Sequence, residues 1–224
     1  MFQKKIHAIF HFNFIDRIVK SKREEILNLI KDKLDLKLVK DCLDIGTTED
    51  SSFGSSNYII NNLPVKKKKS LSNQNISLGC YESTLVKSIT EDLKNNEIKS
   101  FKSDLVISSA VIEHVGNFEN QKKMIENMIK LSNKYLVFTT PNKFHPIEFH
   151  TKLFLLHWFP NKAFAKILKL LGFEFFSKEE NLNLLSERQI YKLTGLMPDS
   201  FEFKIFFVRL FYFKSNFIVI GYKK

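Results

Sequence analysis

The chain alternates between amphipathic helical segments and short apolar runs of strand length. In an amphipathic helix apolar residues recur at spacings of three and four, whereas a buried parallel strand reads as a continuous apolar run. On these patterns the first half of the chain predicts, in order, a helix over 15–35, a strand over 37–46, a helix with serine caps over 51–64 that stops at Pro64, a short strand over 69–74 and a third apolar segment over 83–90.

The middle of the chain carries the clearest succession of elements. The segment 103–115, "SDLVISSAVIEHV", contains an apolar strand at 105–107, and 117–133 predicts a helix with Asn117 as its N-cap. The segment 134–142, "KYLVFTTPN", is another β-rich strand. A strand, a helix and a second strand with short connections are typical of a parallel βαβ unit.

The last third of the chain predicts two helices and a hairpin. The elements are, in order, a helix over 161–173 with Gly172 near its C-terminus, a helix over 186–195 opened by a capping box of Ser186 and Gln189, and two β-rich segments within 200–224. The polar triplet Lys214-Ser215-Asn216 splits the two β-rich segments. So short a break predicts an antiparallel hairpin that turns at the triplet.

This order of elements predicts an α/β fold of the Rossmann-like type. We expect a mostly parallel central sheet with helices on both faces and a C-terminal antiparallel hairpin. We also expect one domain over 1–224, divided into an N-terminal helical segment at 1–38, a cofactor-binding core at 39–142, and a substrate-side insertion with the closing hairpin at 143–224.

Composition and charge describe a globular chain without a defined polyanionic partner. Of the 224 residues 44% are hydrophobic and 26% are charged, and the net charge is +11. Nearly all of the positive charge is lysine, whereas nucleic-acid recognition relies heavily on arginine forks. We therefore expect no DNA partner and disfavour RNA, and we interpret the lysine run at 66–69 as the solvated entrance to the second strand.

The cysteines and the N-terminus bear on the compartment. Cys42 and Cys80 suggest no disulfide framework, which fits a reducing, cytoplasmic environment, and Cys42 lies in an apolar run as a core thiol. The N-terminal stretch "MFQKKIHAIFHFNFIDRIVK" is basic and then apolar, but His7 and His11 interrupt it and it is too short to span a bilayer. We expect it to pack against the domain, with a lipid-surface contact as the alternative.

The loop after the first strand, "LDIGTTED", has features of a cofactor loop. Gly46 lets a ligand approach the backbone, and the carboxylate of Asp44 can hold a cation, a hydroxyl or an amine. The loop lacks the further glycines that cradle a pyrophosphate, and Glu49 and Asp50 would repel phosphate. The sequence thus favours a cationic or zwitterionic cofactor over a dinucleotide, and an ordinary buried strand with a turn is the alternative.

Over this part of the sequence the chain resembles the class I S-adenosylmethionine-dependent methyltransferases, in particular the type 11 group. The resemblance covers 39–142 and rests on "LDIGTTED" as the first cofactor motif, "SDLVISSAVIEHVGN" as the fourth-strand motif and "KYLVFTTPN" as the fifth strand. It implies the same fold, S-adenosylmethionine as the cofactor, and methyl transfer as the activity.

The resemblance also implies roles for matched positions. Asp44, Gly46 and Thr47 would face the amino-acid end of S-adenosylmethionine, and Asp92 would lie beside the adenine amino group. Asn73 falls at the tip of the second strand, where the family usually has an acid that holds the ribose hydroxyls. The remaining cofactor positions, which would lie under the methionine part, are Ser108 and Ser109.

The candidates for proton transfer lie after the fourth and fifth strands. They are Glu113, His114, His145 and His150, with Glu148 between the last two and with Phe144, Phe149 and Trp158 in the same run. The spacing of His145, Glu148 and His150 across Pro146 fits no strong metal-ligand pattern, so we expect a hydrogen-bonded wall of an acceptor pocket rather than a metal site. For His114 the structural alternative is a residue that only orders its own loop.

The sequence therefore predicts an S-adenosylmethionine-dependent methyltransferase whose acceptor is a small molecule, a saccharide or a lipid precursor. Its alternative is a degenerate member of the fold that binds or regulates without turnover, which the glycine-poor loop and Asn73 support.

Overall fold

A computed structural model of the protein describes residues 12–49 and 57–224, with side chains from residue 17 onward. The sequence predictions for the N-terminal stretch with His7 and His11, and for the first part of the 51–64 helix, lie outside the described residues. None of the described helices is long and apolar enough to cross a membrane.

Through the first two thirds of the chain helices alternate with strands, except that the second and third strands follow one another without a helix between them. The helices are α1 (Phe12–Lys33), α2 (Tyr58–Asn61), α3 (Asn95–Phe101), α4 (Phe118–Leu131), α5 (Asn161–Leu170) and α6 (Glu187–Gly195). The strands are β1 (Asp41–Ile45), β2 (Lys67–Ser72), β3 (Ser83–Val86), β4 (Ser103–Ser109), β5 (Ser132–Pro141), β6 (Phe201–Leu210) and β7 (Phe213–Lys223).

The seven strands form one sheet in the order β3-β2-β1-β4-β5-β7-β6. The pairings from β3 to β5 are parallel, and β7 pairs antiparallel with both β5 and β6. The α/β fold with a mostly parallel sheet and a closing antiparallel hairpin is thereby confirmed. Because the strand order reverses between β1 and β4, their carboxyl ends diverge into a crevice, the usual ligand position in such sheets.

Each face of the sheet carries its own apolar core. On one face Met124, Ile125 and Met128 of α4 pack with residues of α6 and with Leu43 and Ile45 of β1. On the other face the apolar stripe of α1 packs against α2 and against the strand residues that point to that face. The buried residues of this second core include Ile26, Leu27, Ile30, Cys42, Leu105 and Ile107. The strands are buried on both faces, which explains why they read as continuous apolar runs.

Two helices have the N-terminal caps that the sequence predicts. The side chain of Asn117 accepts a hydrogen bond from the backbone N–H of Asn120 at the start of α4. At the start of α6 Ser186 accepts from the N–H of Gln189, whose own side chain accepts from the N–H of Ser186. These caps satisfy backbone donors that have no partner within the helix.

The position of the hairpin turn differs from the prediction. The chain reverses at Phe211-Tyr212, and Arg209 pairs with Lys214 while Val208 pairs with Asn216. Ser215 is thus the extra residue of a β-bulge, fully buried, with its Oγ donating to the carbonyl of Val208. The polar triplet marks a bulge rather than the turn, because a buried hydroxyl that bonds the partner strand is compatible with the ladder.

Helix α3 was not predicted from the sequence. Its seven residues, "NNEIKSF", include none that is fully buried, and only Ile98 and Phe101 are apolar, so the apolar stripe is too short to detect. The carboxylate of Glu97 accepts a hydrogen bond from the backbone N–H of Lys94, which stabilises the first turn.

Candidate functional site

A cleft opens at the carboxyl ends of β1, β2 and β4, at the switch point of the strand order. Its volume is about 450 Å³. The tips of these strands and the loop after β3 form its floor, and the segment after β4 forms one wall. The lining residues include Gly46, Thr48, Ser72, Asn73, Ser88, Ile89, Thr90, Ser109, Ala110, Val111, His114 and Glu180.

Asp44 is held at the end of β1 by two hydroxyl groups. Its Oδ2 accepts hydrogen bonds from Thr47 Oγ1 at 2.7 Å and from the phenol of Tyr81 at 2.9 Å, and the residue is buried. Burial raises the pKa of Asp44, and the two hydrogen bonds oppose this shift only in part. Asp44 and Thr47 do not line the cleft, whereas their chain neighbours Ile45, Gly46 and Thr48 do.

Gly46 leaves β1 in a conformation that other residues rarely adopt. Its φ is +81°, and a Cβ added there would lie 2.4 Å from Cγ2 of Val111. The valine therefore packs directly over the glycine, at the bottom of the cleft. Only glycine permits this approach between the β1 loop and the segment after β4.

The tip of β2 contributes two polar residues. Ser72 is buried, and its Oγ donates to the carbonyl of Thr47 at 2.8 Å, which ties the β1 loop to the neighbouring strand. Asn73 follows directly, is exposed, and lines the cleft. The structure thus places Asn73 directly after the end of β2, where the family resemblance expects it.

A buried amide fixes the loop after β3. The side chain of Asn127, on α4, donates to the carbonyls of Ile89 and Glu91 at 2.7 and 2.8 Å. The loop presents Ser88 and Thr90 to the cleft. Asp92 lies beyond it: its carboxylate pairs with Lys123, and its side chain is 91% exposed.

The end of β4 stands beside the end of β1. Ser108 pairs with Ile45 across the ladder, and its Oγ donates to the Ile45 carbonyl at 3.1 Å. Ser108 is therefore buried in the floor, whereas Ser109 and Ala110 line the cleft. Ala110 has a φ of 55°, a strained value for a residue with a Cβ, and its N–H donates to Thr139 of β5.

A chain of ionisable side chains runs from the cleft toward the insertion after β5. Glu113 is fully buried; its Oε2 accepts from Thr140 Oγ1 at 3.1 Å, while its Oε1 has no hydrogen-bond partner among the described residues. Nε2 of His114 lies 3.0 Å from Nε2 of His150. Nδ1 of His150 in turn lies 2.6 Å from Oε1 of Glu148.

The pKa values of the outer pair follow from their contact. Burial alone would raise the pKa of Glu148, but the hydrogen bonds and charge of His150 and the hydrogen bond from Thr151 lower it to about 2. Burial would likewise lower the pKa of His150, and the bond to Glu148 outweighs that effect and raises it. Glu148 is therefore a permanent carboxylate that orients the His150 ring.

A second cleft, of about 200 Å³, lies between α1 and the carboxyl ends of β4 and β5. Ser109 and Ala110 border both clefts, His114 lines the first and His150 lines the second. The remaining lining of the second cleft combines apolar and basic side chains, among them Ile18, Val19, Lys22, Arg23 and Phe149.

His145 lies apart from this array. It is buried, stacks on Phe149 with ring centroids 4.9 Å apart, and its backbone carbonyl accepts from Nε2 of His157. Burial lowers its pKa. Of the four predicted proton-transfer residues, the structure brings Glu113, His114 and His150 together and places His145 in the packing of the insertion.

Several lining residues were not identified from the sequence. Ser72, Ser88 and Thr90 were within predicted segments, but only the Asn127 hydrogen bonds and the sheet register bring them to the cleft. Glu180 lies in the loop between α5 and α6, far along the chain from the other lining residues, and no local sequence pattern identifies it. The hydrophobic Val111 within the fourth-strand motif carried no polar signal.

No protein-family model matches the sequence, and no curated protein matches it either. Solved structures do match its fold. Magnesium protoporphyrin IX methyltransferase from Synechocystis PCC 6803 with bound SAH has a TM-score of 0.55 at 13% identity, over 96% of this chain and 89% of that one.

Two further structures extend the comparison. N-methyltransferase NodS from Bradyrhizobium japonicum WM9 in complex with S-adenosyl-l-homocysteine (SAH) has a TM-score of 0.51 at 12% identity, over 90% of this chain and 86% of that one. A putative S-adenosylmethionine-dependent methyltransferase from Listeria monocytogenes has a TM-score of 0.51 at 14% identity, over 89% and 98%. The chain thus has the fold of the class I S-adenosylmethionine-dependent methyltransferases, as its motifs predicted.

Proposed function

We propose that the protein is an S-adenosylmethionine-dependent methyltransferase and that the first cleft is its cofactor site. The observation that carries this proposal is the convergence of Gly46, Asn73, Thr90 and Ser109 on one cleft at the switch point of this fold. Open α/β sheets bind their ligands at such a point. The solved structures of the same fold include two with bound SAH.

The charges around the cleft support a cationic ligand. Glu180 lines the cleft, Asp44 lies at the adjoining end of β1, and Glu49 on the β1 loop accepts a hydrogen bond from the N–H of Ser77. Lys87 also lines the cleft, but its charge is paired with that of Glu97. Acidic groups favour the ammonium and sulfonium centres of S-adenosylmethionine and disfavour a pyrophosphate. The cofactor proposed from the sequence is consistent with this surface.

The acceptor would enter through the second cleft, which meets the first at Ser109 and Ala110. An acceptor lone pair attacks the methyl carbon, the S–CH3 bond breaks, and its electron pair remains on the sulfur. The acceptor proton leaves toward the array of Glu113, His114 and His150, which lies between the clefts. The apolar and basic lining suits a small amphiphilic or polar acceptor, such as a saccharide or a lipid precursor.

Binding of SAH tests the cofactor site directly. Thr90→Trp places an indole in the cleft, so we expect SAH affinity to fall by at least about tenfold in isothermal titration calorimetry. Ser100→Trp is the control, because Ser100 is exposed near the amino end of β4, at the opposite edge of the sheet. Equal SAH affinity in the two variants, or no SAH binding by the wild type, would rule out this cleft.

A single change at the β2 tip is expected to tighten cofactor binding. Asn73→Asp introduces the carboxylate that the family usually has there, and hydrogen bonds to a charged acceptor contribute about 1.5–3 kcal/mol, roughly twice a neutral bond. We expect S-adenosylmethionine affinity to rise several-fold, measured by calorimetry beside the exposed control Asn75→Asp. An unchanged affinity would place the ribose elsewhere.

The second candidate function is cofactor binding without turnover. It is favoured by Asn73 at the position of the usual acid and by Val111 packed onto Gly46. SAH binding together with a lack of methyl transfer to saccharide and lipid-precursor acceptors would select it over the enzyme.

A further inference from the structure

The histidine pair between the two clefts has an unusual hydrogen-bond arrangement. Nδ1 of His114 lies 2.6 Å from the carbonyl of Asn181, and Nδ1 of His150 lies 2.6 Å from the Glu148 carboxylate. Both partners accept only, so each Nδ1 carries the proton. In the neutral rings both Nε2 atoms are then unprotonated, and these two lone pairs face one another at 3.0 Å.

Glu113 adds a third lone-pair donor to the same point. A ligand atom of Glu113 and one from each histidine all lie within 4.8 Å of one another. Glu113 is fully buried, and Oε1 has no hydrogen-bond partner among the described residues. A buried carboxylate oxygen without a partner is costly, and two opposed imidazole lone pairs add repulsion.

The charges also remain unbalanced. Glu113 and Glu148 are both buried, and within the described part of the chain neither forms an ion pair with a lysine or an arginine; the only pairing is that of Glu148 with His150. One proton shared by the histidines would offset one of the two carboxylates. A divalent cation would offset both and would accept all three lone pairs.

We propose that Glu113, His114 and His150 bind a divalent metal ion of the first transition row. Metal-bound histidines typically donate their other ring N–H to a carboxylate or a backbone carbonyl, which is what Glu148 and Asn181 provide. Two imidazoles and one carboxylate with further positions open define a facial three-ligand site.

The distance between the two nitrogens selects the kind of ion. With metal–nitrogen distances of about 2.1 Å, a separation of 3.0 Å corresponds to an angle of roughly 90° at the metal. That is the angle between adjacent ligands of an octahedron, and it is narrower than a tetrahedral site requires. The geometry therefore suits Mn²⁺, Fe²⁺ or Co²⁺ better than Zn²⁺ in a closed tetrahedral site.

The site goes beyond the proposed function, and its metal binding does not depend on methyl transfer. Only one consequence rests on that function: because His114 lines the cofactor cleft and His150 the second cleft, an acceptor oxygen could occupy an open position of the ion. There the ion would lower the pKa of an acceptor hydroxyl and favour loss of its proton.

Titration of chelator-treated full-length protein with Co²⁺, without cofactor or acceptor, tests the site. We expect one Co²⁺ per chain by calorimetry, with the weak visible absorption of six-coordinate Co²⁺. His114→Asn and His150→Asn keep a donor near the Nδ1 position and remove Nε2, so each should weaken Co²⁺ binding by more than about 100-fold. Glu148→Gln should weaken it by about 10–100-fold through ring orientation.

The controls address other histidines and misfolding. His157→Gln keeps a donor to the His145 carbonyl and should bind Co²⁺ like the wild type, as should the double variant of His7→Gln and His11→Gln. A measurement on the wild type avoids substitution: proton NMR of the Co²⁺ form should show two exchangeable, hyperfine-shifted imidazole N–H signals, one from each Nδ1.

Three results would overturn the proposal. They are absence of Co²⁺ binding by the wild type at millimolar ion, binding that survives both His114→Asn and His150→Asn, and a Co²⁺ form without shifted imidazole N–H signals. Failure of SAH binding or of methyl transfer with intact Co²⁺ binding would instead count against the proposed function alone.

Discussion

Gly46→Ala is expected to abolish SAH binding and to lower the free energy of unfolding by about 2–5 kcal/mol. The new Cβ would lie 2.4 Å from Cγ2 of Val111, a distance that real contacts do not show. It would also hold a non-glycine residue at a φ of +81°. Either the β1 loop or Val111 must move, and both form the bottom of the cleft.

Two further substitutions separate the steric and the conformational parts of this effect. Gly172→Ala has the same φ of +81° with no atom within 4 Å of the added Cβ, so it measures the backbone cost alone. Adding Val111→Ala to Gly46→Ala removes the clash, so we expect partial recovery of both stability and SAH affinity. The measurements are chemical denaturation and calorimetry.

Wild-type SAH affinity in the single variant, with no greater loss of stability than in Gly172→Ala, would contradict this role of Gly46. That result would mean that Val111 can turn away without cost and that the cleft does not depend on this contact.

Asp44→Asn is expected to have opposite effects on cofactor binding and on stability. The Asp44 carboxylate is a negative charge next to the cleft, so its removal should weaken the electrostatic attraction for the cationic S-adenosylmethionine and lower its affinity by roughly 10–100-fold. The amide oxygen can still accept from Thr47 and Tyr81. Local geometry is therefore retained while the charge is lost.

The stability effect depends on pH. Burial raises the pKa of Asp44 above its ordinary value of 3.8. At pH values between 3.8 and the raised pKa, the folded protein therefore binds more protons than the unfolded chain. Stability from this group is fully present below the ordinary pKa and is lost as the pH rises through that window. Asparagine does not titrate, so the variant escapes this loss.

We therefore expect the melting temperature of Asp44→Asn, relative to the wild type, to increase as the pH is raised from about 4 to about 8. Differential scanning calorimetry of the ligand-free proteins measures this difference. Asp199→Asn, at an exposed aspartate, controls for the change in net charge. A difference that is flat with pH, or that falls, would contradict an Asp44 carboxyl that is costly to ionise.

Local sequence patterns were sufficient to predict an element wherever its structure depends on interactions between residues close together in the chain. The apolar stripe of α4 and its Asn117 cap, and the capping box of α6, are interactions within a few residues. The parallel strands are continuous apolar runs because both of their faces are covered. Helix α3 escaped detection because it fully buries none of its residues.

The sequence pattern gave a wrong position for the hairpin turn because a polar residue of the hairpin is buried by its partner strand. Lys214, Ser215 and Asn216 look like a turn, yet Ser215 bonds Val208 within the sheet and Lys214 reaches Glu187. The sequence shows that these residues are polar, but the identity of their partners depends on how β6 and β7 meet.

By itself, the sequence determined the class of fold, the order of its elements and the strand tips that form the cleft, because apolar periodicity and short connections restrict how a parallel sheet can be built. Only the tertiary structure decided which side chains meet. It separated His145 from His114, placed Val111 on Gly46, and joined Glu113 and His114 to His150 from beyond the next strand. Such contacts arise from packing between elements distant in the chain, and spacing along the sequence carries no record of them.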